Sequence, residues 1–239
     1  MDQQRSAIKR VYMGALMQNG GLAFGVAFIL AVWNWITVAR NWKRAEYVSK
    51  PATLIAVIVA AWLITRGPHD EWMARFFLPG LIFSLAGDMF LMLPGERFFV
   101  PGLVSFLLAH VCYIIGLNPT WPPLPALIPL VIVAAIGLWL ARGIASGLRR
   151  SGQTALLVPV VVYSCVLSLM LFSAWATLFR PEWTSLRRAF VIAGGSLFFA
   201  SDSMLAWDKF VRLLPGGRTK VMVTYHLAQF ALAASIALM

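Results

Sequence analysis

Residues 76–93 read FFLPGLIFSLAGDMFLML, and Asp88 is the single charged residue among them. A helix that crosses a lipid bilayer needs about 20 mostly apolar residues. Further apolar stretches of this kind recur along the 239-residue chain. We therefore predict an all-α, polytopic membrane protein with a single integral membrane domain over 1–239. Its eight transmembrane helices are expected near 20–38, 51–66, 76–93, 98–117, 123–141, 154–179, 187–207 and 219–238.

The composition excludes several classes of protein. Hydrophobic residues make up 60% of the chain and charged residues only 12%, whereas about 25% of a soluble domain is charged. The net charge is +11, but the basic residues lie between the apolar stretches, as in proteins that face anionic lipid headgroups. We therefore expect membrane lipids as partners and no nucleic acid. Cys112 and Cys165 both lie in apolar stretches and indicate no disulfide framework.

Acidic residues inside the predicted spans are the best candidates for function. A carboxylate at the centre of a spanning helix costs about 2.5–3.5 kcal/mol. Of the nine acidic residues, only Asp88 and Asp202 lie within predicted spans, which also contain His110 and His226. No lysine or arginine lies deep in a predicted span, so we expect no basic partner for either aspartate.

The order of the spans predicts that these polar residues meet. Spans three and seven run in the same direction, and the helical rise places Asp88 and Asp202 in the same half of the bilayer. Span eight starts from that side with Tyr225 and His226 in its first turns, and Lys50 lies at the start of span two. We therefore expect these residues to share one cavity.

A weak internal repeat accompanies the two aspartates. Residues 84–91 read SLAGDMFL and 197–205 read LFFASDSML. The aspartates are 114 residues apart, and the histidines of the following spans are 116 residues apart. Two parallel four-helix halves with a site at their interface would explain this pattern, as in many transporters.

Composition and spacing leave three classes of function open. The aspartates can serve acid/base hydrolysis of a lipid. Aspartate and histidine are also zinc ligands, which would suit a metal-dependent membrane hydrolase, although the chain has no close pair such as His-x-x-x-His. The third class is a small lipid or ion transporter, in which the aspartates carry protons or cations.

The segments around these residues resemble the YhhN family. The resemblance is carried by GLIFSLAGDMFL at 80–91, GLVSFLLAHVCY at 102–113, GGSLFFASD at 194–202 and TYHLAQ at 224–229. It extends from about residue 25 to 238 and implies an eight-span lysoplasmalogenase, which hydrolyses the vinyl ether bond of a lysophospholipid to a fatty aldehyde and a glycerophospho-base. We expect no cofactor and no metal.

Vinyl ether chemistry fits a pair of carboxyl groups. A vinyl ether is stable to base and labile to acid, because protonation of the alkene carbon leaves an oxocarbenium ion that water attacks. Glycosidases stabilise a similar transition state with two carboxyls, and burial raises the pKa of a carboxyl by up to about 3–5 units. The resemblance implies that Asp88 and Asp202 are catalytic. Apolar neighbours surround Asp88 and serines flank Asp202, so we expect Asp88 to be the acid and Asp202 the base.

Other polar residues near the aspartates are expected to bind the substrate. They are Lys50, Ser84, His110, Tyr113, Ser201, Tyr225, His226 and Gln229. The spacing of Tyr225, His226 and Gln229 places them on one helical face, where they are expected to hold the attacking water or the glycerol hydroxyl. Lys50, together with Arg97 or Lys209, is expected to bind the phosphate.

Overall fold

The apolar stretches fold into helices, because a helix satisfies its backbone hydrogen bonds internally in a medium without water. The computed structural model describes the backbone of residues 2–239 and the side chains of residues 20–239. Within that part of the chain 84% of residues are helical and no strand occurs. The α-helices are α1 (Asp2–Ala39), α2 (Lys43–Ile64), α3 (Glu71–Met92), α4 (Phe99–Leu117), α5 (Leu127–Arg150), α6 (Leu157–Ala176), α7 (Ser185–Phe210) and α8 (Gly217–Ser235).

Seven of these helices, α1 to α7, are long and apolar enough to cross a membrane. In α1 the qualifying segment is Gly20–Ala39. The protein is therefore a multi-pass integral membrane protein, as predicted. Helix α8 does not qualify, because Lys220, His226 and Gln229 lower its mean hydropathy. The eighth predicted span is thus not confirmed by length and composition.

The start of α2 differs from its predicted boundary by about two helical turns. The prediction starts this span at residue 51, whereas the helix begins at Lys43. Residues 43–50 contain three basic residues and one acidic residue, which conceal the helix from a hydropathy pattern. Lys50 consequently lies two turns inside the helix and is buried there. Helix α5 also extends beyond its predicted end at 141, to Arg150.

The helices pair along the chain and exchange partners between the halves. The strongest contacts join α1 with α2, α3 with α4, and α7 with α8, and α5 packs against α6. Helix α8 also packs against α1, α2 and α3, and α4 packs against α6. The last helix of each predicted half therefore contacts helices of the other half. This exchange brings residues from both halves to a common centre.

Helices α3 and α7 share local features at a constant spacing of 114 residues. Asp70 caps the start of α3 by accepting from the backbone N–H of Met73, and Thr184 caps α7 by accepting from that of Arg187. Asp88 and Asp202 follow at the same spacing. Two parallel four-helix halves predict such corresponding features.

Candidate active site

A polar cavity of about 240 Å³ lies among α2, α3, α4, α7 and α8. Asp88 and Asp202 both line it, together with Lys50, Ser201 and Tyr225. Five of the residues selected from the sequence therefore share one cavity. Helix α2 enters it from Lys43, and Lys50 lies about 10 Å further along the helix axis. The inner end of the cavity thus lies about two helical turns inside the bundle, and polar side chains line the way to it.

Asp88 forms an ion pair with Lys50, contrary to the expectation that neither aspartate has a basic partner. The Lys50 Nζ atom lies 2.8 Å from Oδ1 of Asp88. The hydroxyl of Tyr225 donates to the other carboxylate oxygen at 2.8 Å. Both members of the ion pair are buried. The expectation was wrong because α2 begins earlier than predicted, which carries Lys50 into the span.

Asp202 has a different set of partners. The Tyr163 hydroxyl donates a hydrogen bond to Oδ2 of Asp202, and Nε2 of His110 lies 3.1 Å from the same oxygen. Among the described side chains none hydrogen-bonds to Oδ1. The expected support from Ser201 is not found, because its hydroxyl donates to the backbone carbonyl of Val221 at 3.1 Å.

The partners of the two aspartates come from equivalent helices. Asp88 on α3 contacts Lys50 from α2, the preceding helix, and Tyr225 from α8. Asp202 on α7 contacts Tyr163 from α6, again the preceding helix, and His110 from α4. Each aspartate therefore binds one side chain from its own half and one from the last helix of the other half. Tyr163 was not among the site residues predicted from the sequence, although its spacing of 113 residues from Lys50 is within one residue of the repeat.

Five of the predicted substrate-binding residues lie behind the cavity wall: Ser84, His110, Tyr113, His226 and Gln229. Tyr113 donates to Oε1 of Gln229 at 2.8 Å, and Ser84 is fully buried beside them on α3. The Trp35 indole N–H donates to Nδ1 of His226 at 3.0 Å. These residues do not line the cavity. The spacing of Tyr225, His226 and Gln229 predicted one shared helical face, but adjacent helical residues such as Tyr225 and His226 point in different directions.

A narrow apolar pocket adjoins the polar cavity. It lies between α4, α5, α6 and α7 and is lined by Leu140, Ile144, Leu167 and Phe199, among other apolar residues. Asp202 lines this pocket as well as the polar cavity. Asp202 therefore lies where an apolar compartment meets a polar one.

The basic residues expected to bind phosphate have other surroundings. Arg97 lies over the ring of Phe98, with 4.7 Å between its guanidinium carbon and the ring centroid, and it does not line the polar cavity. Lys209 lies over the ring of Phe99 at 4.7 Å and borders the apolar pocket instead. Lys50 is occupied by Asp88.

The entrance of the polar cavity contains charged residues that the sequence analysis missed. They are Lys43, Glu46, Asp208 and Arg218. Arg218, in the first turn of α8, donates from Nη2 to both carboxylate oxygens of Glu46 at 2.8 and 2.6 Å. Arg218 precedes Tyr225 by seven residues on one helix. This spacing is about two turns and would have placed Arg218 on the same helical face as Tyr225.

Two buried arginines connect the helices at the ends that lie away from the cavity entrance. Arg187 on α7 binds the carboxylate of Asp70 at 2.5 Å. Arg180, between α6 and α7, donates to Thr120 through Nη1 at 2.7 Å, and burial lowers the pKa of its guanidinium. These contacts connect the loops of the two halves on the side away from the cavity entrance.

Within the described part of the chain, no three His, Cys, Asp or Glu side chains form a group that could hold a metal ion. The Asp202 carboxylate is shared by Tyr163 and His110, and that of Asp88 by Lys50 and Tyr225. The observed contacts thus suit proton transfer and hydrogen bonding to a substrate.

Comparisons with known proteins point to one family. A sequence model of the YhhN family matches residues 45–236. The chain is 30% identical over 220 residues to lysoplasmalogenase TMEM86B of Mus musculus, which covers 90% of this chain and 83% of the relative. It is 32% identical over 200 residues to human lysoplasmalogenase TMEM86B, with 81% and 79% covered.

A bacterial relative is similar over a shorter range. The lysoplasmalogenase of Mycobacterium tuberculosis is 31% identical over 159 residues, which are 66% of this chain and 58% of the relative. No solved structure matches the chain. The family match covers most of the chain and includes Lys50, Asp88, Asp202 and Tyr225. The protein therefore belongs to the YhhN family.

Proposed function

We propose that this protein is a lysoplasmalogenase, which hydrolyses the vinyl ether bond of a lysoplasmalogen to a fatty aldehyde and a glycerophospho-base. The named relatives are lysoplasmalogenases. The observation that carries the proposal is the position of Asp202, which borders both the polar cavity and the apolar pocket. A single-chain lipid changes from apolar to polar where its tail joins the glycerol, and in a lysoplasmalogen the vinyl ether is at that junction.

The two compartments give the substrate a defined orientation. In the proposed complex the alkenyl chain occupies the apolar pocket beside Leu140 and Leu167, where it is removed from water. The glycerophospho-base occupies the polar cavity. The vinyl ether then lies beside Asp202, so the reacting bond and the acid are held together.

Hydrolysis in this site proceeds by proton transfer. A carboxyl group donates its proton to the second carbon of the alkenyl chain, and the first carbon becomes part of an oxocarbenium ion. Water attacks that carbon and loses a proton to a carboxylate, which gives a hemiacetal. The hemiacetal hydroxyl then gives its proton to the carboxylate that was the acid. Its carbon–oxygen bond to glycerol breaks, and the glycerol oxygen takes the proton that the other carboxyl received from water. The products are the aldehyde and the glycerophospho-base, and the catalyst regains its initial protonation.

The contacts favour Asp202 as the acid and Asp88 as the carboxylate, the reverse of the roles expected from the sequence. The Lys50 ammonium at 2.8 Å stabilises the ionised form of Asp88. Asp202 has no lysine or arginine partner among the described residues, and its Oδ1 is free to carry a proton. Asp88 would stabilise the oxocarbenium ion and accept the proton of the attacking water.

Helix α8 belongs to the membrane domain in this proposal, as an eighth transmembrane helix. Its polar residues Tyr225, His226 and Gln229 are buried against neighbouring helices. Packing against α1, α2, α3 and α7 shields them from lipid. A spanning helix with such neighbours tolerates a lower hydropathy, because buried polar groups find partners within the protein. The site then lies at the interface of two parallel four-helix halves.

The function is tested with purified protein in detergent and three lysolipids with the same headgroup. We expect release of fatty aldehyde from the vinyl ether lipid and no cleavage of the alkyl ether or ester lipids. Asp88→Asn and Asp202→Asn should each reduce the rate by at least about a hundredfold, as expected for loss of a general acid or base. Glu96→Gln, which changes an exposed acid outside the cavity, is the matched control.

The same assay separates the proposal from its competitors. Full activity of both aspartate variants would contradict the acid/base mechanism. Cleavage of the ester lipid at the rate of the vinyl ether lipid would indicate a nucleophilic or metal-dependent hydrolase. Binding of the vinyl ether lipid without product would indicate a transporter or lipid-binding protein.

A further inference from the structure

The basic residues of the polar cavity differ in their availability to a ligand. Lys50 is buried at the inner end and is paired with Asp88. Arg218 lies at the entrance, and 42% of its side chain is exposed. Lys43 also lies at the entrance, 3.9 Å from Glu46, and 63% of its side chain is exposed. A negatively charged group that enters the cavity therefore meets Arg218 and Lys43 first.

Arg218 is held in position by an acidic side chain. Its Nη2 atom donates to both carboxylate oxygens of Glu46, and Nη1 donates to Oδ1 of Asn41 at 3.0 Å. A guanidinium group binds carboxylate and phosphate oxygens with the same planar arrangement of donors. Glu46 therefore occupies the position that a phosphate group would take.

The distance along α8 agrees with the length of the substrate. Arg218 precedes Tyr225 by seven residues, which separates their Cα atoms by about 10 Å. Tyr225 lies at the same depth in the bundle as the proposed catalytic residue Asp88, because the two side chains are hydrogen-bonded. The three-carbon glycerol spacer and the long arginine side chain together bridge this distance. The backbone N–H groups at the start of α8 add positive charge at the same level.

We infer that Arg218 binds the phosphate of the substrate, and that Glu46 competes with this phosphate for the guanidinium group. The inference rests on the proposed function, because the same lipid must reach Asp202. A phosphate monoester or diester replaces the Glu46 carboxylate on Arg218, and Lys43 adds a second cation. The Arg218 guanidinium group then has a negatively charged partner both with and without bound substrate.

The test uses two vinyl ether lipids that differ only in the phosphate: 1-alkenylglycerol and 1-alkenylglycerol 3-phosphate. The measured quantity is the ratio of kcat/KM for the two lipids, with aldehyde release as the signal. Arg218→Gln should lower the preference for the phosphate lipid about tenfold, the usual effect of losing a hydrogen bond to a charged group. Glu46→Gln should raise this preference, because the competing carboxylate is gone.

Arg212→Gln is the matched control, since Arg212 is an exposed arginine at the same ends of the helices that does not line the cavity. It should keep the preference of the unchanged protein. Release of aldehyde from 1-alkenylglycerol reports that each variant is folded. An unchanged preference in Arg218→Gln would overturn the inference. An equal loss of preference in Glu46→Gln would also overturn it, because the pair would then be structural. If the unchanged protein cleaves neither lipid, the proposed function itself fails.

Discussion

Asp88 and Asp202 occupy equivalent positions on α3 and α7, but their neighbours differ in charge. Asp88 has the ammonium group of Lys50 at 2.8 Å. Asp202 has the hydroxyl of Tyr163 and the ring of His110. A buried charge requires a compensating partner, whereas a neutral carboxyl needs only hydrogen bonds. The difference in partners thus predicts different responses of the two residues to replacement by asparagine.

Asp88→Asn should be destabilising and Asp202→Asn nearly neutral in stability. The first replacement leaves Lys50 buried without a negative partner, which costs about 3 kcal/mol. If Asp202 is the acid of the proposed mechanism, the second replacement introduces an amide that still accepts from Tyr163 and leaves no buried charge without a partner, so the loss should be about 1 kcal/mol or less. Thermal unfolding in detergent measures both effects.

A double variant provides the control for this prediction. Lys50→Met combined with Asp88→Leu removes the whole ion pair, and should regain stability while remaining inactive. Equal destabilisation by Asp88→Asn and Asp202→Asn would contradict the assignment of Asp88 as the ionised carboxylate and Asp202 as the neutral acid.

The sequence was sufficient to select both aspartates but not their partners. Acidic residues in apolar spans stand out because they are unfavourable there. Lys50 was predicted to bind the substrate because the predicted span begins after it, at residue 51. Arg218 and Tyr163 were missed because arginine at a helix end and tyrosine in a membrane helix are ordinary features of membrane proteins. Only the packing of helices distant in the chain reveals their contacts.

At the scale of helices, close packing of α5 on α7 shapes the apolar pocket. Gly147 on α5 lies against the backbone carbonyl of Phe210 at the end of α7. Ile144, Leu148 and Val160 form a small buried cluster around the same contact. A side chain at position 147 would displace the last turn of α7, which carries Lys209 and Phe210 along the pocket.

Gly147→Ala should destabilise the protein by about 2 kcal/mol, in the range for overpacked interiors. It should also raise KM for the vinyl ether lipid, since the wall of the apolar pocket moves. Gly25→Ala is the control, because a methyl group at position 25 would contact no atom within 4 Å. Thermal unfolding and steady-state kinetics test both variants. An unchanged melting temperature for Gly147→Ala would show that α5 and α7 are less closely packed than described.

Helix identities were predictable, whereas helix ends were not. Hydropathy locates the middle of a span but not amphipathic turns that project beyond the apolar region. The start of α2 and the end of α5 are both turns of this kind, and both contain basic residues, which lower the hydropathy there. Helix α8 shows the opposite case, since its polar residues Tyr225, His226 and Gln229 are buried within the protein and lower the hydropathy by which a span is recognised.

At the scale of the whole molecule, the exchange of terminal helices creates the site. Helix α8 contributes Tyr225 to Asp88 of the first half, and α4 contributes His110 to Asp202 of the second half. Neither half alone contains a complete set of partners. The weak repeat in the sequence predicted a site at the interface of two halves, but the exchange itself follows from three-dimensional packing.

The most direct test of the central claim, proton transfer from Asp202 to the alkene carbon, is the mass of the fatty aldehyde formed in D₂O. The aldehyde is reduced immediately to the alcohol so that later exchange is prevented. We predict one deuterium on the second carbon of the product from the unchanged protein, and no aldehyde above the uncatalysed level from Asp202→Asn. An aldehyde without deuterium at that carbon, or full activity of Asp202→Asn, would contradict the proposed mechanism.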